Sequence, residues 1–111
     1  MPADRPADLD LSRTTFDAVD ARRAAVLLEQ LRLEMPTGHA LYPWRETFRV
    51  LAETGASDDV VVATGDAAAP LALIHLTWRQ GSEPYPEFPT FEPFVDADEL
   101  RAYFLEWFAH D

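Results

Sequence analysis

The sequence predicts a small α+β domain: an N-terminal helix, a three-stranded antiparallel meander, a proline-rich crossover and a C-terminal amphipathic helix packed on the sheet. Three observations carry this prediction. Apolar residues recur at helical spacing near both ends of the 111-residue chain, short runs rich in Val, Leu and Ile fill its middle, and four prolines crowd residues 81–94. The length suits one core, and 48% hydrophobic residues with 7 Phe, 3 Trp and 3 Tyr supply it.

Residues 1–13 mix Pro, Asp and Ala with only two leucines, so they are expected to form a loosely ordered arm ahead of a single domain over 14–111. Thr14 and Asp17 have the spacing of a helix start, and Asp17 and Asp20 suit the positive end of a helix dipole. From there Ala24, Leu27, Leu28, Leu31 and Met35 recur at helical intervals, and the first helix ends before Pro36-Thr37-Gly38.

Three strands follow. The first spans Glu46–Glu53, with Phe48, Val50 and Ala52 alternating with Thr47, Arg49 and Leu51. The second is Asp59–Thr64 and the third Leu71–Trp78, and the short connections favour an antiparallel meander. In the third strand Ala72, Ile74, Leu76 and Trp78 fall on one face and Leu71, Leu73, His75 and Thr77 on the other. Both faces are largely apolar, which marks this strand as central.

The prolines of residues 81–94 argue against a helix or a central strand and favour polyproline II geometry. Tyr85, Phe88, Phe91 and Phe94 recur every third residue, so in that geometry they line one edge, either as core covering the sheet or as an exposed ledge for a partner. The last element is a helix in which Asp96 and Glu99 form a capping box and Leu100, Tyr103, Phe104, Trp107 and Phe108 share one face. Both helices are expected on one face of the sheet.

Composition excludes much chemistry. Twenty carboxylates against nine arginines give a net charge of −11, which repels a nucleic-acid backbone. The absence of Cys removes disulfides, thiolate nucleophiles and Cys-ligated metal centres. His39, His75 and His110 lack a metal-ligand spacing, the serines lie outside any nucleophile elbow, and the isolated glycines form neither a phosphate-binding loop nor a dinucleotide fingerprint. No metal and no cofactor are expected. With no apolar run near the ~20 residues a membrane-spanning helix needs and no signal-like start, the expected location is the cytoplasm.

Two constellations remain. Seven of the nine arginines precede residue 50, so the second half of the chain is strongly acidic. In it Glu83, Glu87, Glu92 and Asp96 interleave with Tyr85, Phe88 and Phe91, and aromatic anchors in an acidic rim suit a basic protein surface. The other is His75, set mid-strand in an apolar run, with Asp58, Asp59 or Glu87 as its partner in acid–base work; its simpler role is that of a hydrogen-bonded structural residue.

Gly38-His39-Ala40-Leu41-Tyr42, Ser57-Asp58-Asp59-Val60, His75-Leu76-Thr77-Trp78 and the Pro84–Pro89 stretch resemble a group of small uncharacterised bacterial proteins that share an HLTW strand followed by a proline-aromatic segment. The likeness covers roughly residues 38–91, with Arg79-Gln80-Gly81 and Phe88 standing where that group has Ser-Gly-Lys and Trp. It implies a fold without an assigned activity, and it implies that His75, Trp78 and the Asp58-Asp59 pair belong to one local arrangement.

Two functions are therefore expected in contest. The first is a non-enzymatic acidic cytoplasmic module that binds a basic protein surface, in its most concrete form an immunity-type inhibitor of a nuclease-like toxin, through Glu83, Tyr85, Glu87, Phe88, Phe91, Glu92 and Asp96. The alternative is a small enzyme or ligand-binding domain using His75 with Asp58, Asp59 or Glu87, which requires an open pocket containing His75 and a carboxylate within hydrogen-bond reach. A third option is a DNA mimic, which requires carboxylates in two rows at phosphate-like spacing.

Overall fold

The structure, a computed structural model, describes residues 9–109 and is α+β, with a five-stranded antiparallel sheet rather than the expected three strands. The elements run β1 (Phe16–Ala18), α1 (Ala21–Glu34), a 3-10 helix (Tyr42–Thr47), β2 (Arg49–Thr54), β3 (Asp59–Ala63), β4 (Leu71–His75), β5 (Phe91–Phe94) and α2 (Ala97–Trp107). Strand order is β1-β2-β3-β4-β5, so the predicted meander is its centre and each end gains an edge strand.

The first added strand comes from the segment read as a helix start. Thr14 is buried and its hydroxyl donates to the Leu11 carbonyl at 2.7 Å while accepting from the Phe16 amide at 3.2 Å. The chain is thereby held extended, and Phe16 stacks on Phe104 with ring centroids 4.4 Å apart. Asp20 is the residue that caps α1, accepting from the Arg23 amide at 2.8 Å. Burial of one aromatic ring has overridden a local capping pattern.

The second added strand comes from the proline-rich run. Phe91 and Phe94 do not share an edge, because side chains three apart in a strand point to opposite faces. Phe91 sits against the core beneath α1 and Phe94 is buried in the core beneath α2. Pro93 is accommodated because β5 is an edge strand. Tyr85 and Phe88 remain outside, in a turn closed by the Phe88 amide on the Tyr85 carbonyl at 3.2 Å.

The helices lie on opposite faces of the sheet, correcting the expectation of one. Leu27 and Leu31 of α1 meet Val60, Val62, Ala72 and Ile74, while Leu100 and Phe104 of α2 meet Val61, Ala63, Leu71 and Leu73. This explains why the third predicted strand is apolar on both sides. In β2 the simple alternation fails: a register shift between Val50 and Ala52 puts Val50 in one core and both Leu51 and Ala52 in the other.

Helix α2 keeps the N-cap half of the predicted box, with Asp96 accepting from the Glu99 amide at 2.8 Å, while the Glu99 carboxylate accepts from the amide of Val95, one residue before the cap, at 3.2 Å. Of the expected N-terminal arm, residues 1–8 lie outside the described residues. Leu9 and Leu11 lie against the α2-side core, and Arg101 donates to the carbonyls of Asp10 and Ser12. No helix among the described residues is long and apolar enough to cross a membrane.

Candidate functional site

One end of the sheet is shaped by a carboxylate buried beneath it. Glu34 lies on the same helical line as Leu27 and Leu31 and is 0% exposed. Its carboxylate accepts from the amides of Thr77 and Trp78, from the Thr77 hydroxyl, each at 2.8 Å, and from Gln30 Nε2 at 2.6 Å. Its own carbonyl accepts from the Glu83 amide at 2.8 Å. A carboxylate is unfavourable at a helix C-terminus, and these donors offset the cost of placing it there.

Glu83, expected at a partner surface, is instead buried in the same cluster. Its Oε2 lies 2.7 Å from the Thr77 hydroxyl and its Oε1 3.2 Å from Arg79. The Thr77 hydroxyl has one hydrogen, so it donates to Glu34 or to Glu83 but not to both. The strand pattern therefore breaks after Leu76: Thr77 turns toward α1, and Trp78 adopts a left-handed backbone with φ 59° and leaves the strand, 42% exposed.

His39 secures the other side of the proline-rich segment. It is buried; its Nδ1 accepts from the Leu41 amide at 3.0 Å and its Nε2 donates to the Pro89 carbonyl at 2.7 Å, an arrangement that specifies the neutral ring with hydrogen on Nε2. Burial lowers its pKa, partly opposed by the Pro89 carbonyl. Gly38 beside it lets Pro86 approach, since a Cβ there would stand 3.2 Å from Pro86 Cβ.

On this frame His75, Trp78, Asp58 and Asp59 come together at the β2–β3 turn. Asp59 Oδ1 meets His75 Nδ1 at 3.2 Å, Asp59 Oδ2 accepts from the Ser57 hydroxyl at 2.5 Å, and Asp58 Oδ1 accepts from the Trp78 indole at 3.1 Å. Ser57 is thus bonded to the acid and not to the imidazole, which is not the order of a serine nucleophile triad. His75 is half-exposed, and among the described residues its Nε2 has no hydrogen-bond partner.

Two clefts flank Asp59, one on each face of the sheet. The first, of about 200 Å³, has Leu27, Val60 and Leu76 as apolar walls and Arg23, Glu53, Ser57, Asp58, Asp59 and Trp78 around them. Arg23 is already held there by Glu53 through two bonds of 2.8 and 2.9 Å. The second cleft, of about 220 Å³, is lined by Asp59, Leu73, His75, Thr90, Phe91, Glu92 and Tyr103. Register explains it: Asp59 pairs with His75 and Leu73 with Glu92, all on the α2 face of the sheet. The Tyr103 hydroxyl has its pKa raised by desolvation first and then by Glu92, Asp59 and Glu106.

The structure therefore separates the predicted site residues. Asp58, Asp59 and His75 gather around the two clefts, and Glu92 joins them. Tyr85, Glu87 and Phe88 are exposed but line neither cleft, Phe91 is half-buried against the α1-side core and also lines the second cleft, Asp96 caps α2, and Glu83 is internal. His110 lies outside the described residues. Among the described residues no group of three His, Asp or Glu side chains is placed to hold a metal ion. Glu34, His39 and Tyr103 are what sequence reasoning missed; Glu34 on the apolar line of α1 was the available signal. Comparisons of the chain with family models, with curated proteins and with solved structures return no match.

Proposed function

We propose that this chain is a protein-binding module for a basic protein surface, engaged through the two clefts that share Asp59 and acting as an immunity-type inhibitor that occupies the basic substrate cleft of a nuclease-like toxin. One observation supports this most: Glu53, Asp58, Asp59 and Glu92 converge from β2, β3, β5 and the turn before β3, with Arg23 as the cation among the lining residues, on a chain of net charge −11. Trp78 and Tyr103 stand at the two clefts as aromatic anchors, and carboxylates around such anchors give both steering and grip on a cationic surface. The reading moves the partner surface away from a continuous ledge over residues 83–99.

The test uses Asp58→Arg with Glu92→Arg, one reversal on each cleft and both at exposed positions. Wild-type bait is expected to retain a basic protein from its own lysate at low salt, to lose it progressively as salt rises, and the double variant is expected not to retain it. Neutralisation of that protein's toxicity on co-expression would carry the inhibitor function. Failure to retain any basic protein at low salt, or equal retention by the double variant, refutes the reading.

A second reading has its own support in the Asp59–His75 pair, which leaves His75 Nε2 open as a general base in a cleft that disfavours anions. It calls for a neutral or cationic substrate. Hydrolysis of neutral esters that is the same in wild type and in His75→Gln removes it.

A further inference from the structure

We infer that the first cleft, between the β2–β3 turn, α1 and Trp78, is the receptor for an arginine side chain of the bound partner. This rests on the protein-binding reading above and specifies what enters the site.

The cleft is mainly polar at its surface: Leu27, Val60 and Leu76 close its floor but are almost wholly buried, and Arg23, Glu53, Ser57, Asp58, Asp59 and Trp78 form the rim that an arginine would meet. Charge leaves room for a further cation: Glu53, Asp58 and Asp59 contribute three negative charges and Arg23 one positive. The cleft also shows that a guanidinium is held in this setting, because Arg23 is gripped by Glu53 through a bidentate pair of 2.8 and 2.9 Å. That pair is complete, so Glu53 is already engaged. Asp58 is different: its Oδ1 takes the Trp78 indole hydrogen at 3.1 Å, and its Oδ2 has no hydrogen-bond partner among the described residues.

Trp78 decides between guanidinium and ammonium. Its left-handed backbone, set by the two amides that Glu34 holds, carries the ring out of the strand to the cleft, and the bond to Asp58 fixes the ring's orientation. A planar guanidinium can lie on an indole face while donating in its own plane to a neighbouring carboxylate, whereas an ammonium is a compact, strongly hydrated point charge that lacks this shape. The second cleft has no comparable exposed indole, and Asp59 there is taken up by Ser57 and His75.

The experiment is a titration of the full-length protein followed by two-dimensional amide and indole NMR, with acetyl-arginine amide as probe and acetyl-citrulline amide and acetyl-lysine amide as its neutral and ammonium counterparts. Arginine amide is expected to shift the Trp78 indole resonance and the Gly55 and Ser57 amides saturably. Citrulline amide should leave them unmoved and lysine amide should bind several-fold more weakly. Asp58→Asn keeps an oxygen for the indole hydrogen but loses the charge, and should weaken the arginine amide about tenfold. Equal shifts from citrulline amide, equal binding of lysine amide, or shifts confined to Glu92, Tyr103 and α2 would each overturn the inference. If arginine amide fails while the Asp58 and Glu92 reversals still abolish capture of a basic protein, the inference falls and the protein-binding reading stands.

Discussion

Replacing Glu34 is the sharpest test of how the sheet end is held. Glu34→Ala removes the acceptor of the Thr77 and Trp78 backbone amides and of the Gln30 side chain, and one of the two acceptors open to the Thr77 hydroxyl. Each buried donor left unpaired costs about 1–3 kcal/mol, so the amides alone account for roughly 2–6 kcal/mol. Relief of the buried charge returns part of this, and because the donors left behind are all neutral the expected net loss is about 2–4 kcal/mol. For a domain of this size that is roughly a 10–20 °C fall in Tm. Glu34→Gln is informative because it preserves shape: its amide nitrogen must face an N–H, so it should still cost about 2 kcal/mol. Urea denaturation monitored by circular dichroism gives both values, and hydrogen exchange should show protection lost first at Thr77 and Trp78. A Glu34→Ala loss below about 1 kcal/mol, within the range of ordinary surface substitutions and mild core changes, or a Glu34→Gln variant as stable as wild type, would refute the account.

Other outcomes follow from the same structure. His39 has a pKa lowered by burial, so its contribution to stability is fully present above the unfolded histidine value of about 6.5 and is lost as pH falls through the lower folded value. The urea midpoint of wild type should therefore lose its advantage over His39→Gln as pH is lowered from neutral toward 5, and a constant advantage would contradict this. Phe94→Ala should cost about 3–5 kcal/mol because the ring is in the α2-side core. Tyr85→Ala, at 59% exposure, should stay within about 0.5 kcal/mol; comparable losses in the two would restore the single aromatic edge. Gly65→Ala should destabilise by more than about 1 kcal/mol, since Gly65 has φ 89° and a Cβ there would clash with the Thr47 hydroxyl, which itself donates to a main-chain carbonyl. Thermal melts of the purified variant check it.

The centre of the fold was legible because its pattern is local. Alternation in Leu71–Leu76 reports a strand buried on both faces, and the Asp96 and Glu99 spacing with the apolar face of α2 reports a capped helix. What was not legible depends on partners distant in sequence. Phe16 becomes part of a strand through Phe104, and nothing within residues 14–20 announces that contact. The period of three in Tyr85–Phe94 fits polyproline II and also fits a turn followed by an edge strand, and only the pairing of β5 with β4 separates them. At the site, the adjacency of Asp58-Asp59 and of His75 through Trp78 was visible, and their convergence was suggested by resemblance. Glu83 could not be told from its solvated neighbours, because its burial is set by Glu34, forty-nine positions earlier.

The unbroken strand order also bears on how the chain reaches its structure. Strands β2, β3 and β4 are joined by the turn over 55–58 and the connection over 64–70, so their pairing closes only short loops. They are the segment expected to form first, with folding nearer the millisecond regime of mixed α/β domains than the seconds of sandwiches with long-range pairing. The edge strands dock later: β1 must return across α1, and β5 must wait until the Glu34 and His39 contacts draw residues 77–90 into place. Substitutions at Val61 or Leu73 should accordingly slow folding, whereas those at Phe16 or Phe91 should mainly speed unfolding.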